Sequence, residues 1–385
     1  MKIGVNARFL TKPYTGIGQH TRQLFEAMAR LEPNAQFLLV TPDAHDCPMP
    51  DNVKTVVLPE RFPGTAGMKK TYWEQRQLPK FFQEQQVDLV HFPYPSNPWQ
   101  GFSKPVFVTV HDTFPWDSEA YRRSITTRLY QDSCRFAIKK ADGIFTVSQA
   151  SRDDIVRLCN VPRERVTLSY NAPAPHFSKR YSPEDRKVIL QKYGLHPGRR
   201  YFFYVGGFDE RKNVSTLVKA FQQHIALRYD VDLVLAGGKL VNDALYASFD
   251  HLLHPQNSGH PGKIVTTGFV DENDLGALYQ SALALVNVST REGCNLPLLE
   301  SLASGTPVIT SDLPVHHEMV GQHAVYVPPM DAEKLGIHME QFLKDDHFYE
   351  ARKAQAQSYV CPFSWEKTAG HVFDTYRRVS SGSIR

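Results

Sequence analysis

Short apolar runs alternate with longer amphipathic segments along the chain. The first half supplies KIGVN (2–6), QFLLV (36–40), VKTVVL (53–58), VDLVHF (87–92), PVFVTV (105–110), GIFTV (143–147) and RVTLS (165–169). Continuous apolar runs this short, bounded by polar segments, predict strands buried on both faces of a parallel sheet. Helical patterns lie between most of them: residues 18–31 carry Leu24, Met28 and Leu31 at helical spacing, and residues 125–140 form a long basic segment. A second series follows, with YFFYVG (201–206), VDLVLAGG (231–238), KIVTTG (263–268), ALALVNV (282–288), TPVIT (306–310) and AVYV (324–327). Strands alternating with helices in this way predict an α/β protein.

The two series are separated by NAPAPHFSKRYSPED (171–185), where Pro173 and Pro175 interrupt any regular element and Ser182-Pro183-Glu184 has the form of a helix start. Two doubly wound, Rossmann-like domains are predicted, 1–178 and 179–361. A length of 385 residues suits two cores better than one.

With 42% hydrophobic and 22% charged residues, the chain has the composition of an ordinary globular protein. Its net charge of +4 is too small to point to nucleic acid. The basic excess is in the first half, where residues 1–178 hold 22 Lys and Arg against 17 Asp and Glu; residues 179–385 hold 22 against 23. The five cysteines, Cys47, Cys134, Cys159, Cys294 and Cys361, form no CxxC pair, which disfavours a disulfide framework or a zinc site and suits a reducing cytosol. Met1 leads directly into a strand pattern, and no apolar run approaches the ~18 residues of a spanning helix, so a cytoplasmic location is expected.

In doubly wound sheets ligands bind beyond the carboxyl ends of the strands, and a cleft between two such domains is the expected site. The loop after YFFYV reads GGFDERKN, with Gly206 and Gly207 allowing close backbone approach and Arg211 and Lys212 as adjacent cations. Such a pair can neutralise a diphosphate leaving group without a metal, or be a solvated turn. After ALALVNV comes TREGCNLPLLES, with Glu292 in the loop and Glu300 eight positions on, in the first turns of a helix that Pro297 helps to start. Backbone N–H groups at that helix N-terminus suit an anion or a sugar oxygen. The alternative is that Glu292 is solvated and Glu300 only favours the helix start.

Near the N-terminus, TKPYTGIGQHTRQL places Gly16 and Gly18 between the first strand and helix. Thr21 stands where a dinucleotide fingerprint needs a small residue, so NAD is disfavoured, although a phosphate or sugar still fits the helix N-terminus. PVFVTV ends in His111 and Asp112, at the mouth of the expected cleft. A histidine there suits a sugar hydroxyl or proton exchange near neutrality, or a structural bond to backbone. Asp230 and Asp232 resemble a DxD metal motif but precede their strand, which predicts a solvated turn. The basic stretch 122–140, with Arg122, Arg123, Arg128, Arg135, Lys139 and Lys140, suits contact with an anionic membrane surface at about 1 kcal/mol per basic residue. A solvated helical face is the alternative.

In order and spacing, NARFL, TGIGQHTRQL, HDTFP, SYNAP, YVGGFDERKN, GFVDENDLGALYQSA, REGCNLPLLESLASGTPVITSD and FSWEKTAGHVFDTYRRV resemble the retaining GT-B glycosyltransferases of family 4 (group 1). The likeness covers essentially the whole chain and is greatest to bacterial mannosyltransferases of surface polysaccharides such as lipopolysaccharide. It implies the GT-B fold, with the C-terminal helix of residues 362–385 packed back on the first domain, and transfer from a nucleotide-sugar donor to a glycan or lipid-linked glycan acceptor, needing neither metal nor cofactor. Arg211 and Lys212 would contact the donor diphosphate, Glu300 the ribose and Glu292 the transferred sugar. Gly293, Cys294, Asn295 and Leu296 would present backbone N–H groups, Gly16 and Gly207 would lie by the phosphates, and Phe269 and Val270 by the base. His111 would stand beside the reacting carbon, with Gly18 and Asp112 toward the acceptor. GDP-mannose is the expected donor. A UDP-glucose or UDP-N-acetylglucosamine transferase and a non-catalytic nucleotide-sugar-binding protein are the alternatives.

The chain departs from the family pattern at Gly207, where many relatives have Arg, and at Cys294 and Asn295, where EGFGLP is common. Asn tolerates left-handed geometry better than most residues, so the loop is expected to keep its shape.

Overall fold

The computed structural model describes residues 1–117, 125–238 and 261–382. In its first half, β1 (Lys2–Asn6) leads through a loop into α1 (Gly16–Leu31), followed by β2 (Gln36–Thr41), β3 (Val53–Val57), β4 (Leu89–Phe92), β5 (Val106–Val110), α2 (Ile125–Lys140), β6 (Gly143–Thr146) and β7 (Val166–Leu168). The second half runs α3 (Pro183–Lys192), β8 (Arg200–Val205), α4 (Val214–Phe221), β9 (Val231–Ala236), β10 (Ile264–Gly268), α5 (Glu272–Ser281), β11 (Ala284–Asn287), α6 (Leu296–Ala303), β12 (Val308–Ser311), α7 (Pro314–Val320) and β13 (Ala324–Val327). α8 (Trp365–Ser380) ends the regular structure.

These strands form two sheets, of order β3-β2-β1-β4-β5-β6-β7 and β10-β9-β8-β11-β12-β13. All pairings are parallel. In both sheets the order reverses beside the first strand, at β1/β4 and at β8/β11, and that reversal opens the crevice where doubly wound folds take ligands.

The chain divides into two compact units, Met1–Ala172 with Phe363–Arg385, and Pro173–Pro362. The first boundary falls after Ala172 rather than after 178, because Phe177 is buried and its carbonyl accepts a hydrogen bond from Ser304 Oγ at 3.2 Å. In the first unit, Ile3, Val5, Leu24, Phe25 and Leu39 share one core with Trp365, Val372, Phe373 and Tyr376 of α8. The opposite sheet face packs Val40, Phe82, Val90, Val108 and Ile144. α8 is further tied by Thr368 Oγ1 donating to the Tyr170 carbonyl at 2.7 Å and by a bond between Tyr376 and buried His91. In the second unit, Phe202, Leu217, Phe221, Leu233, Val286 and Phe342 fill one face of the sheet. Gly237, at φ 124°, is required where the chain crosses: a β-carbon there would run into the Gly206 carbonyl.

Candidate active site

Within the second unit the site is built where β8 and β11 end side by side. After β8, Gly206 adopts φ 151° and the Tyr204 hydroxyl holds the Gly207 carbonyl at 2.6 Å, turning the chain into a short 3-10 turn over Glu210–Lys212. Asn213 closes that turn at φ 54° and starts α4. Its amide donates to the carbonyls of Val288, at 2.9 Å, and Pro329, at 2.5 Å, tying the cationic turn to the loops after β11 and β13. The Thr290 N–H donates to the Arg211 carbonyl at 2.8 Å.

That scaffold brings Arg211 and Lys212 onto one carboxylate. Arg211 Nη1 lies 2.7 Å from Glu292 Oε2 and Lys212 Nζ 2.7 Å from Glu292 Oε1. Arg211 also pairs with Asp209 at 3.2 Å. The Glu292 side chain is only 6% exposed, so it is not a solvated loop residue. Burial pushes its pKa up, but Lys212 and Arg211 outweigh burial and hold it at about 2. The result is an ionised triad in a water-poor setting, where charge interactions are strong and can be exchanged for those of an anionic ligand.

Glu300 is placed differently. It is buried within α6, and Tyr279 of α5 donates its hydroxyl to Glu300 Oε2 at 2.9 Å. Burial raises its pKa to about 7, outweighing the Tyr279 hydrogen bond that lowers it. Gly293, Cys294 and Asn295 are buried in the loop before α6, and Leu296 opens the helix half-exposed. Asn295 stands at φ 69°, the left-handed backbone its residue type suggested. Phe269 is 56% exposed just beyond β10 and Val270 is half-buried.

Within the first unit, α1 begins at Gly16, with Thr15 Oγ1 accepting from the Gly18 N–H at 3.1 Å. Gly16 is exposed, and a β-carbon on it would meet nothing within 4 Å. Gly18 differs: it is buried, and a β-carbon would collide with the Lys12 and Phe9 carbonyls. Packing alone is enough to require a glycine here.

His111 follows β5 and donates Nε2–H to the Pro93 carbonyl at 2.9 Å, which leaves Nδ1 as the acceptor nitrogen. Its ring lies edge-on to that of His20, with centroids 4.6 Å apart. Burial lowers its pKa to about 4, so the imidazole is neutral near neutrality. Asp112 beside it is half-buried.

Asp230 and Asp232 lie at the amino end of β9 and are both paired with Arg199, at 2.5 and 2.7 Å, so this turn is a structural clamp rather than simply solvated. Among the described residues, no three His, Cys, Asp or Glu side chains are grouped to hold a metal ion. Of the basic stretch, residues 122–124 lie outside the described residues. Along α2, Leu129, Tyr130 and Phe136 are exposed together with Arg128, Lys139 and Lys140. No described helix is long and apolar enough to cross a membrane.

Several residues that shape the site carried no recognised signal in the sequence. Tyr279 partners Glu300 from 21 positions away. His20 is fully buried on α1 and bonded through Nδ1 to Asn171 Oδ1 at 2.8 Å, inside the quoted SYNAP stretch. His316 and Asn287 sit behind the loop before α6, the latter visible only as a polar residue within an apolar strand.

Two family models match the chain, Glycosyltransferase Family 4 over residues 14–173 and Glycosyl transferases group 1 over residues 185–359. The O-antigen chain mannosyltransferase B of Escherichia coli is 30% identical over 273 residues, covering 70% of this chain and 69% of that protein. The serotype-specific mannosyltransferase WbdA of Escherichia coli is 27% identical over 299 residues, covering 76% of this chain but 35% of its own length. Among solved structures, the sucrose-phosphate synthase of Thermosynechococcus elongatus superposes with a TM-score of 0.76 at 21% identity, over 99% of this chain and 100% of that one, a likeness of fold. With two doubly wound sheets, a cationic turn paired with Glu292 where β8 and β11 end side by side, and these matches, the chain belongs to the group 1, family 4 glycosyltransferases of the GT-B fold.

Proposed function

We propose that this glycosyltransferase moves a hexose, mannose from GDP-mannose, to a hydroxyl of a glycan or lipid-linked glycan acceptor, with retention at the anomeric carbon, in polysaccharide biosynthesis. The observation that carries this reading is the triad of Arg211, Lys212 and Glu292, with both cations 2.7 Å from one carboxylate at the β8/β11 crossing. A bound diphosphate takes up the two cations and frees Glu292 to accept a hydroxyl of the transferred sugar. The N-terminus of α6 adds backbone N–H groups and a favourable dipole for the same charge. Glu300 receives the ribose hydroxyls, and Phe269 offers its exposed ring to the base.

The acceptor hydroxyl attacks from the face by which the nucleoside diphosphate departs. Catalysis then rests on stabilising the leaving group and positioning the acceptor. In this reading Arg211 and Lys212 supply the positive charge that a metal supplies elsewhere. His111 orients substrate through neutral Nδ1 rather than exchanging a proton. Gly16, open above the start of α1, takes the phosphate side. The exposed Leu129, Tyr130 and Phe136 among Arg128, Lys139 and Lys140 support peripheral contact with anionic lipid, where a lipid-linked acceptor would be met.

Thermal shift against GDP-mannose, GDP, UDP-glucose and UDP tests the reading. GDP-mannose and GDP are expected to raise the melting temperature. A response to UDP ligands alone removes the mannosyl assignment, and no response to any of the four removes the donor site itself.

A further inference from the structure

The loop before α6 is braced from behind by a histidine. Asn295 starts the helix at φ 69° and ψ 64°, but its side chain does not cap the helix. It turns into the core, where Nδ2 donates to His316 Nε2 at 2.9 Å and Oδ1 accepts from Asn287 Nδ2 at 3.2 Å. Because Nε2 accepts, the imidazole proton is on Nδ1, which lies 2.9 Å from both the Ser311 carbonyl and Thr310 Oγ1. Asn287 Oδ1 in turn accepts from Ser289 Oγ at 2.7 Å. His316 and Asn287 are fully buried, and Asn295 is 5% exposed. A buried network with these polar groups paired has one arrangement. The neighbouring Cys294 touches the same helix α7, its Sγ 3.5 Å from Met319 Sδ.

A left-handed backbone is open to glycine and less freely to asparagine, and here the Asn295 amide is in addition bonded at both its nitrogen and its oxygen, which holds the turn in place. We propose that His316 is a positioning residue for the donor loop: through the Asn295 amide it holds residues 292–296 in the turn that aims their N–H groups at the donor phosphate. The inference rests on the reading of this loop as the donor site. The tether acts on donor affinity, since it fixes a loop that touches the nucleotide sugar before any bond changes.

Calorimetric titration of GDP-mannose and UDP-glucose tests it. His316→Leu removes the acceptor and strands the Asn295 amide, and is expected to weaken binding of whichever donor the wild type takes by about tenfold. Turnover at saturating donor changes little. His316→Gln sets a carbonyl oxygen in place of Nε2 and keeps wild-type affinity. Asn295→Gly adopts the turn without a tether, so adding His316→Leu to it costs no further affinity. The same loss from His316→Leu in both backgrounds, or no loss in either, overturns the inference while leaving the donor site standing. Wild type binding neither donor overturns both. If His316→Leu does not fold, His316→Gln is expected to keep donor affinity and His316→Asn, whose shorter amide takes the place of Nδ1 and does not reach Asn295, to lose about tenfold; equal affinity of the two overturns the inference.

Discussion

Lys212 Nζ and Glu292 Oε1 stand 2.7 Å apart although 80 positions separate them in the chain. The pair makes the same carboxylate a structural partner of the cations and a competitor with any phosphate for them. Two substitutions separate these roles. Lys212→Ala leaves Glu292 with Arg211 alone and is expected to cost about 1–3 kcal/mol of stability in thermal or urea melts. Its donor turnover falls by about 100-fold or more, as for loss of a charge-stabilising group. Glu292→Gln releases the cations, so it binds GDP at least as tightly as wild type by calorimetry while transferring sugar poorly. Weaker GDP binding by this variant would contradict the competition.

Glu300 and Glu292 have opposite pH signatures. Glu300 titrates near 7 when folded, against 4.5 as its ordinary value. As pH rises from 4.5 to 7 the unfolded chain loses this proton while the folded one keeps it, so stability falls, by on the order of 3 kcal/mol in full above 7. Glu292, depressed from 4.5 to about 2, contributes stability that is present above about 4.5 and lost as pH falls toward 2. Glu300→Gln therefore melts above wild type at about pH 8, and the two converge near the ordinary carboxyl value. Donor affinity of the wild type rises across neutrality as Glu300 ionises to meet ribose hydroxyls, and that slope is absent in Glu300→Gln.

His111 is neutral across the working range because burial lowers it to about 4. At saturating donor, kcat is expected to show no break near the ordinary histidine value between about pH 5.5 and 8. His111→Ala lowers kcat by about 100-fold if the ring orients the reacting groups. A break near pH 6.5 that disappears in this variant would instead assign His111 a proton-transfer role.

The inner strands were legible because they are parallel and buried, which turns them into short apolar runs, whereas the edge strands β3 and β10 are exposed or half-exposed and carry polar residues. The ends were less so: VDLVHF begins at Val87, whereas β4 begins at Leu89. Arg211, Lys212, Glu292 and Glu300 could be picked out because each follows a strand on the ligand side. Their pairing could not, since it depends on β8 and β11 being neighbours in the sheet. Nor could the Asn295–His316 bond across 21 positions, because neither residue repeats a local pattern. The His111 and Glu300 shifts come from burial, which a list of residue types does not contain.

The C-terminal helix makes a last prediction, about stability in the unit that does not hold the donor loop. Tyr376 is fully buried on α8 and bonded to His91 Nδ1, while His91 Nε2 lies 2.8 Å from Thr109 Oγ1 on β5. His91 has no exposed surface, so its ring nitrogens depend on these partners. Tyr376→Phe removes one partner and leaves the packing volume nearly unchanged. The cost should be that of an orphaned buried group, about 1–3 kcal/mol. Since His91 and Tyr376 belong to the first unit and Arg211, Lys212, Glu292 and Glu300 to the second, the loss should appear in the melt of the first unit, with GDP-mannose affinity unchanged. Deleting residues from 363 onward removes Trp365, Val372, Phe373 and Tyr376 from the core around Phe25 and Leu39, and that unit is then expected not to fold. Circular dichroism of the truncated chain checks this, and a native-like spectrum with a cooperative melt would show that α8 covers the core without being needed for it.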